Sequence, residues 1–163
     1  MIRHPQMTQT KGQQVSAFSE AVDLMPTVME HFLGSASTYL DGRSLLPFLA
    51  GDIPDHWRQS VQWEFDFRDI AQRRNESYLG LDQRNSNLAV IMDQDFKYVH
   101  CAGLPPLLFD MKNDPGELHN LAEDPAFLSI RLRYAEKLLT WRAEHLDQRL
   151  AFSELTAEGL VSV

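Results

Sequence analysis

Val61, Trp63, Phe65 and Phe67 alternate with Gln62, Glu64, Asp66 and Arg68. Strict alternation over eight residues places the apolar side chains on one face of a strand and the polar ones on the other. A second run, from Ser86 to Met92, sets Leu88, Val90 and Met92 on one face. Asp93-Gln94-Asp95 reads as a turn, and Phe96 to His100 as the returning strand of a hairpin. Pro105-Pro106 interrupts, and Leu107 to Met111 supplies a fourth short strand. Consecutive strands with short connections predict an antiparallel meander.

Helical spacing dominates elsewhere. Asp23 stands as an N-cap before Leu24, Met25, Val28, Met29 and Phe32; Pro26 falls in the first turn and Gly34 after the last. Ser44 precedes a short helix through Leu45, Leu46, Phe48 and Leu49, which Gly51 and Pro54 break. Asp114-Pro115-Gly116-Glu117 has the form of a capping box, with Leu118 and Leu121 expected to face inward. Asp124-Pro125 repeats the device and opens the longest predicted helix, to about His145. Its apolar stripe is read as Leu128, Leu132, Ala135, Leu139 and Leu146, with Leu138 beside it. The tail after Arg149 shows little pattern. Val15 to Ser19 alternates and is read as a short strand, yet no partner strand stands near it in the chain. An unpaired strand leaves backbone groups unsatisfied, so its partners are expected elsewhere.

The predicted class is α+β: a small antiparallel four-stranded sheet packed by a long C-terminal helix, with a helical segment before it. At 163 residues and 44% hydrophobic content the chain is long enough to bury a core without disulfides or metal. Its net charge of −8 argues against nucleic acid as a partner. No apolar run approaches the about 18 residues of a membrane span. Cys101 is the single cysteine, which excludes an internal disulfide and any multi-cysteine zinc site and suits a reducing compartment. Met1 to Gln6 carries no apolar stretch of signal-peptide type.

No phosphate-cradling glycine loop, His-Glu-x-x-His pair or Gly-x-Ser-x-Gly elbow occurs. The histidines, His4, His31, His56, His100, His119 and His145, are scattered without ligand spacing. Asp93 with Asp95, and Glu64 with Asp66, are paired carboxylates of the kind general acid–base chemistry uses, but with no apolar pocket to be inferred around them a turn and a solvated strand face account for them better. Cys101 needs a base or positive field to act as a nucleophile, and strand alternation turns His100 to the other face. Trp63, Phe65 and Phe67 are read as core rather than as a binding platform. An unrelated small enzyme built on Asp66, His100 or Cys101 stays open but lacks a nucleophile–base–orienter arrangement.

Four stretches resemble the C-terminal portion of the sulfatase family, in the alkaline-phosphatase-like superfamily. Val22-Asp23-Leu24-Met25-Pro26-Thr27 is similar to its V-D-hydrophobic-x-P-T segment, and Asp41-Gly42-Arg43-Ser44-Leu45 to its D-G-x-S-L loop. Phe96-Lys97-Tyr98-Val99 is similar to its x-K-Y-hydrophobic strand. Leu108 to Ala122 resembles its L-[FY]-D-L-x-x-D-P-x-E-x-x-N-L-A signature. Trp63 to Asp69 and Leu104 to Asp110 resemble the phosphonate monoester hydrolase and arylsulfatase branch most.

The resemblance implies metal-assisted hydrolysis of sulfate or of phosphonate and phosphate esters, with a divalent metal and a formylglycine nucleophile in the full-length relative. The formylglycine arises in a Cys-x-[Pro/Ala]-x-Arg motif. Cys101-Ala102-Gly103-Leu104-Pro105 departs from it at positions 103 and 105. No catalytic or metal position of the family maps onto this chain, so no cofactor and no catalytic residue are expected in it. Residues 1–50 are expected to be the end of an α/β catalytic domain, and 51–163 a C-terminal sheet-plus-helix subdomain. The expected function is that of a C-terminal fragment, inactive alone, or of an interaction module derived from such an enzyme. Self-association or docking to a catalytic domain are the expected partnerships, and the cytoplasm the expected compartment.

Overall fold

The computed structural model describes residues 2–37, 39–145, 153–157 and 159–162. Strands β1 (Ser60–Asp66), β2 (Asn87–Asp93), β3 (Phe96–Cys101) and β4 (Leu107–Asp110) form one antiparallel sheet in sequential order. This is the predicted meander. Register pairs Glu64 with Ala89 and Trp63 with Val90. It then pairs Ile91 with Tyr98, and Tyr98 with Leu108. One sheet face therefore carries Glu64, Ala89, Ile91, Tyr98 and Leu108. The other carries Val61, Trp63, Phe65, Val90, Val99 and Phe109.

Helix α4 (Leu128–Glu144) lies on the first face, against β2 and β3. Asp124 caps the 3-10 turn that leads into it by accepting from the Ala126 N–H at 2.9 Å, as its position before Pro125 predicts. The core joins Ala89, Ile91, Tyr98 and Leu108 of the sheet to Ala122, Tyr134 and Leu138, with Ile130 and Trp141 packed beside them. The expected inward stripe is thus corrected for its leucines, while Ala135 does pack against the core. Leu132 and Leu139 are 60% and 66% exposed, and Leu128 is exposed as well. Leu146 lies outside the described residues. Two apolar stripes share this helix, and the one with the aromatic residues takes the sheet. Tyr134 decides it: its ring fills the core while its hydroxyl reaches Asp93 Oδ1 at 2.6 Å, so burial leaves no polar atom unpaired.

Trp63 and Phe65 lie on the sheet face away from α4 and are 38% and 58% exposed, contrary to their reading as core; Val61 on the same face is buried. Asp114 to Glu117 forms a turn rather than a helix. Glu117 sits at a φ of 56° and spends its carboxylate on Lys97 Nζ at 2.7 Å, while Asp114 accepts from the His119 N–H. Leu118 is consequently exposed, whereas Leu121 packs on the core.

In the first third of the chain, Val15 to Ser19 is not a strand. Its backbone is held by side chains instead: the Trp57 indole N–H donates to the Phe18 carbonyl at 2.6 Å. Helix α1 (Leu24–Leu33) ends at Gly34, whose φ of 78° only glycine adopts without strain. Helix α2 (Leu46–Ala50) follows. Pro26 and Thr27 are buried on α1, but Leu24, Met25, Val28, Phe32 and Leu33 face outward. Residues 67–86 hold a short helix, α3 (Arg74–Leu79), that periodicity does not announce. Strands β5 (Ser153–Thr156) and β6 (Gly159–Ser162) pair as a hairpin where little pattern was visible, Leu155 opposite Leu160.

Candidate functional site

The most deeply buried ionic group is Asp23, at 0% exposure. It does not cap α1, as its position had suggested, because its carboxylate is fully engaged elsewhere. Both oxygens meet the Arg58 guanidinium, at 2.6 and 2.8 Å. Oδ1 also accepts from the Arg43 N–H and Oδ2 from the Glu20 N–H, each at 2.8 Å. Glu20 adds a second carboxylate to Arg58 and accepts from the Gln62 N–H on β1. Thr27 completes the cluster: its hydroxyl donates to the Asp23 carbonyl at 2.6 Å and accepts from the Leu45 N–H at 2.8 Å. Gly42 passes so close that a Cβ there would lie 2.1 Å from the Val22 carbonyl oxygen. These residues tie α1, the loop before α2 and the entry to β1 into one unit. With every lone pair used, the carboxylate has none left for a substrate or metal.

A second group of polar residues, around the Leu108 to Ala122 stretch, behaves alike. Asn120 accepts from the N–H groups of Leu108 and Ala122 and donates to the Pro106 carbonyl. Asp110 accepts from the N–H groups of Lys112 and Asn113 and from the Asn113 amide, contacts that hold its carboxyl below the ordinary range. Arg131 of α4 donates to the Ala122 carbonyl at 2.6 Å. Together they lash β4 to the segment that leads into α4.

The candidate catalytic groups do not converge. Asp66 is paired with Arg68, which holds its carboxyl below the ordinary range. Glu64 meets Arg142 at 2.9 Å, and Asp95 meets Lys112. Burial pushes Asp93 up, but the Tyr134 hydroxyl, the N–H groups of Phe96 and Asp95, and Lys137 outweigh it and hold the carboxyl low. Burial pushes the Cys101 thiol up, away from nucleophilic thiolate. His100 lies opposite Ala89 and Cys101 opposite Leu88, so the two point to different faces; His100 instead contacts the Tyr98 hydroxyl at 3.2 Å. His4 and His31 approach at 3.2 Å, His119 faces Asp114 at 3.5 Å, and His145 stacks on Trp141. The His56 carbonyl accepts from Arg43.

Among the described residues no three His, Cys, Asp or Glu side chains stand close enough to hold a metal ion. The donor set for the divalent metal implied by the resemblance does not fit here, and Cys101 lacks the formylglycine motif. An open cleft of about 550 Å³ is lined by Arg73, Glu76, Ser77, Leu81, Asp82 and Arg84. It mixes two cations with two acids and offers no nucleophile beside a base.

Residues 1–144 match the family described as "N-sulphoglucosamine sulphohydrolase, C-terminal". The chain belongs to this family. It is 45% identical over 151 residues to the multifunctional alkaline phosphatase superfamily protein PehA of Trinickia caryophylli, covering 93% of the chain but 29% of the relative. It is 26% identical to human N-sulphoglucosamine sulphohydrolase over 90% of the chain and 36% of that protein. The solved phosphonate monoester hydrolase of Agrobacterium radiobacter is 53% identical and superimposes with a TM-score of 0.79, over 93% of the chain and 30% of its own. The chain thus corresponds to the C-terminal part of sulfatase and phosphonate monoester hydrolase-like proteins and spans about a third or less of their length. Among the described residues no helix is long and apolar enough to cross a membrane.

Proposed function

We propose that this chain is the non-catalytic C-terminal scaffold of a sulfuric or phosphoric ester hydrolase, acting on sulfate or on phosphonate and phosphate esters, and that it turns over no ester by itself. One observation carries this reading. The family-type polar residues, Asp23, Thr27, Asp110 and Asn120, spend their hydrogen bonds inside the chain, while most apolar residues of α1 are exposed. A polar network closed on itself builds structure. An exposed apolar face, with Phe32 75% and Leu33 70% exposed, is what remains when the surface it packs against is absent. The chain's share of its relatives supplies the missing surface: the upstream two-thirds, which would hold the metal and the formylglycine.

Docking of α1, extended by Trp63 and Phe65, onto that upstream portion is the expected arrangement. Cytoplasmic residence is in keeping with a single, half-buried thiol. The test is complementation. The chain and the upstream portion of the PehA relative are purified separately, and hydrolysis of a phosphonate monoester and an aryl sulfate is followed with each alone and with both. Activity is expected only in the mixture, and reduced at least tenfold by Phe32→Glu. Turnover that follows the purified chain alone and is absent from a mock purification would overturn the reading.

A further inference from the structure

The cleft of about 550 Å³ beside α3 takes no part in the scaffold role, yet an unpaired buried carboxylate stands in its wall. Glu76 lines the cleft and is only 3% exposed. Its Oε1 accepts from the Asp69 N–H at 3.0 Å. Its Oε2 is shut off from solvent and has no hydrogen-bond partner among the described residues. An oxygen so placed calls for a donor, and its charge calls for a cation. The neighbouring arginines do not supply one. Arg68, which feels the Glu76 charge, spends its Nε on Asp66 at 2.8 Å, and Arg74 is paired with Asp69.

The rest of the cleft is held in place. A Cβ at Gly103 would lie 2.7 Å from the Leu81 side chain and 2.8 Å from Asn85, so the turn after β3 presses on residues 81–85. The Ser86 hydroxyl donates to the Asp82 carbonyl at 3.1 Å, and the Leu81 N–H to the Glu76 carbonyl at 2.9 Å. The Asp82 carboxylate accepts from the Arg84 N–H at 2.9 Å and keeps further acceptor sites. The guanidinium groups of Arg73 and Arg84 make no ion pair or hydrogen bond among the described residues.

Two guanidinium groups and two carboxylates leave the cleft neutral overall, with its charges apart. A lone anion meets Glu76 and Asp82 unfavourably, and a lone cation meets Arg73 and Arg84 unfavourably. A ligand that is itself neutral and charge-separated satisfies both pairs. We propose that this cleft binds a small zwitterion of amino-acid type, its ammonium on Glu76 and Asp82 and its carboxylate on Arg73 and Arg84. The ammonium supplies the N–H donor that Oε2 lacks, and the planar carboxylate matches the arginine fork. Arg73, Ser77 and Arg84 are exposed at the rim, so their side chains can turn to admit it. The inference does not depend on the hydrolase reading, since it involves neither α1 nor an ester.

Titration of glycine, L-serine and L-leucine into the isotope-labelled 163-residue chain tests it, with the amide NMR signals of residues 73–84 as readout. Saturable shifts with a Kd of about 1 mM are expected for at least one of the three. Acetate and methylammonium, which carry one charge each, are expected to bind at least about tenfold more weakly. Glu76→Gln keeps an acceptor for the Asp69 N–H but removes the charge, and Arg84→Ala truncates an exposed side chain. Each is expected to weaken binding at least about tenfold. Three results would overturn the proposal: no saturable shift with any of the amino acids, acetate or methylammonium binding as tightly as they do, or an unchanged affinity in either variant that keeps the native spectrum.

Discussion

Asp23 shows why residue type and position do not by themselves give a role. An aspartate before a helix is the standard N-cap, and here it is the buried anchor of Arg58. Removing its carboxylate leaves the buried Arg58 paired with Glu20 alone and unpairs the N–H groups of Arg43 and Glu20. Asp23→Ala is therefore expected to lower unfolding free energy by about 3–5 kcal/mol in urea titrations. Asp93 carries a pH dependence whose sign follows from its lowered pKa. Its stabilising contribution is complete above the ordinary carboxylate range and is lost as pH falls through the folded-state value. Unfolding midpoints measured from pH 5 down to about pH 2 should fall for the native chain, and less steeply for Asp93→Asn. Tyr134→Phe removes the strongest donor to Asp93 and should cost about 1–2 kcal/mol at neutral pH, read by thermal melting.

At the scale of elements, α4 separates a stripe that looks apolar from a stripe that is buried. Two adjacent leucines test this. Leu138→Ala should cost about 2–5 kcal/mol, because it opens a cavity against Ile91 and Leu108. Leu139→Ala should change the stability of the monomer by no more than about 0.5 kcal/mol. Equal losses at both positions in denaturant titrations would contradict the packing described. The sheet was legible in outline because period-2 alternation and turn residues mark strands locally. Its β1 was read correctly as a strand, and its apolar face correctly as one face. Which face α4 covers was not legible, since it is set by contacts with β2 and β3 far off in the chain, such as Tyr134 to Asp93 at a separation of 41 residues. The turn at Asp114 to Glu117 misled for a related reason. Lys97, on another strand, draws Glu117 away from the capping geometry that the local sequence favours.

For the whole molecule, the scaffold role proposed above gives the outward apolar face of α1 and the closed polar clusters one explanation: a chain organised to be packed against. Polar substitutions at Met25, Val28 and Phe32 should reduce binding of an apolar dye such as ANS at least twofold while leaving the melting temperature nearly unchanged. A drop of many degrees would instead mean that these residues contribute to the core of the isolated chain.

The amino-acid sequence alone determined the strand order, the hairpin turns, the long terminal helix and membership of the sulfatase family. Each rests on patterns that neighbouring residues set within a few positions, or on motifs read in order. Tertiary structure alone decided which stripe of α4 enters the core, that Asp23 pairs with Arg58, that Trp63 and Phe65 stay half in solvent, and that His4 meets His31 while His100 turns to the Tyr98 hydroxyl. Most of those outcomes depend on contacts between residues far apart in the chain, where hydrophobic burial and the pairing of buried charge outweigh local preference.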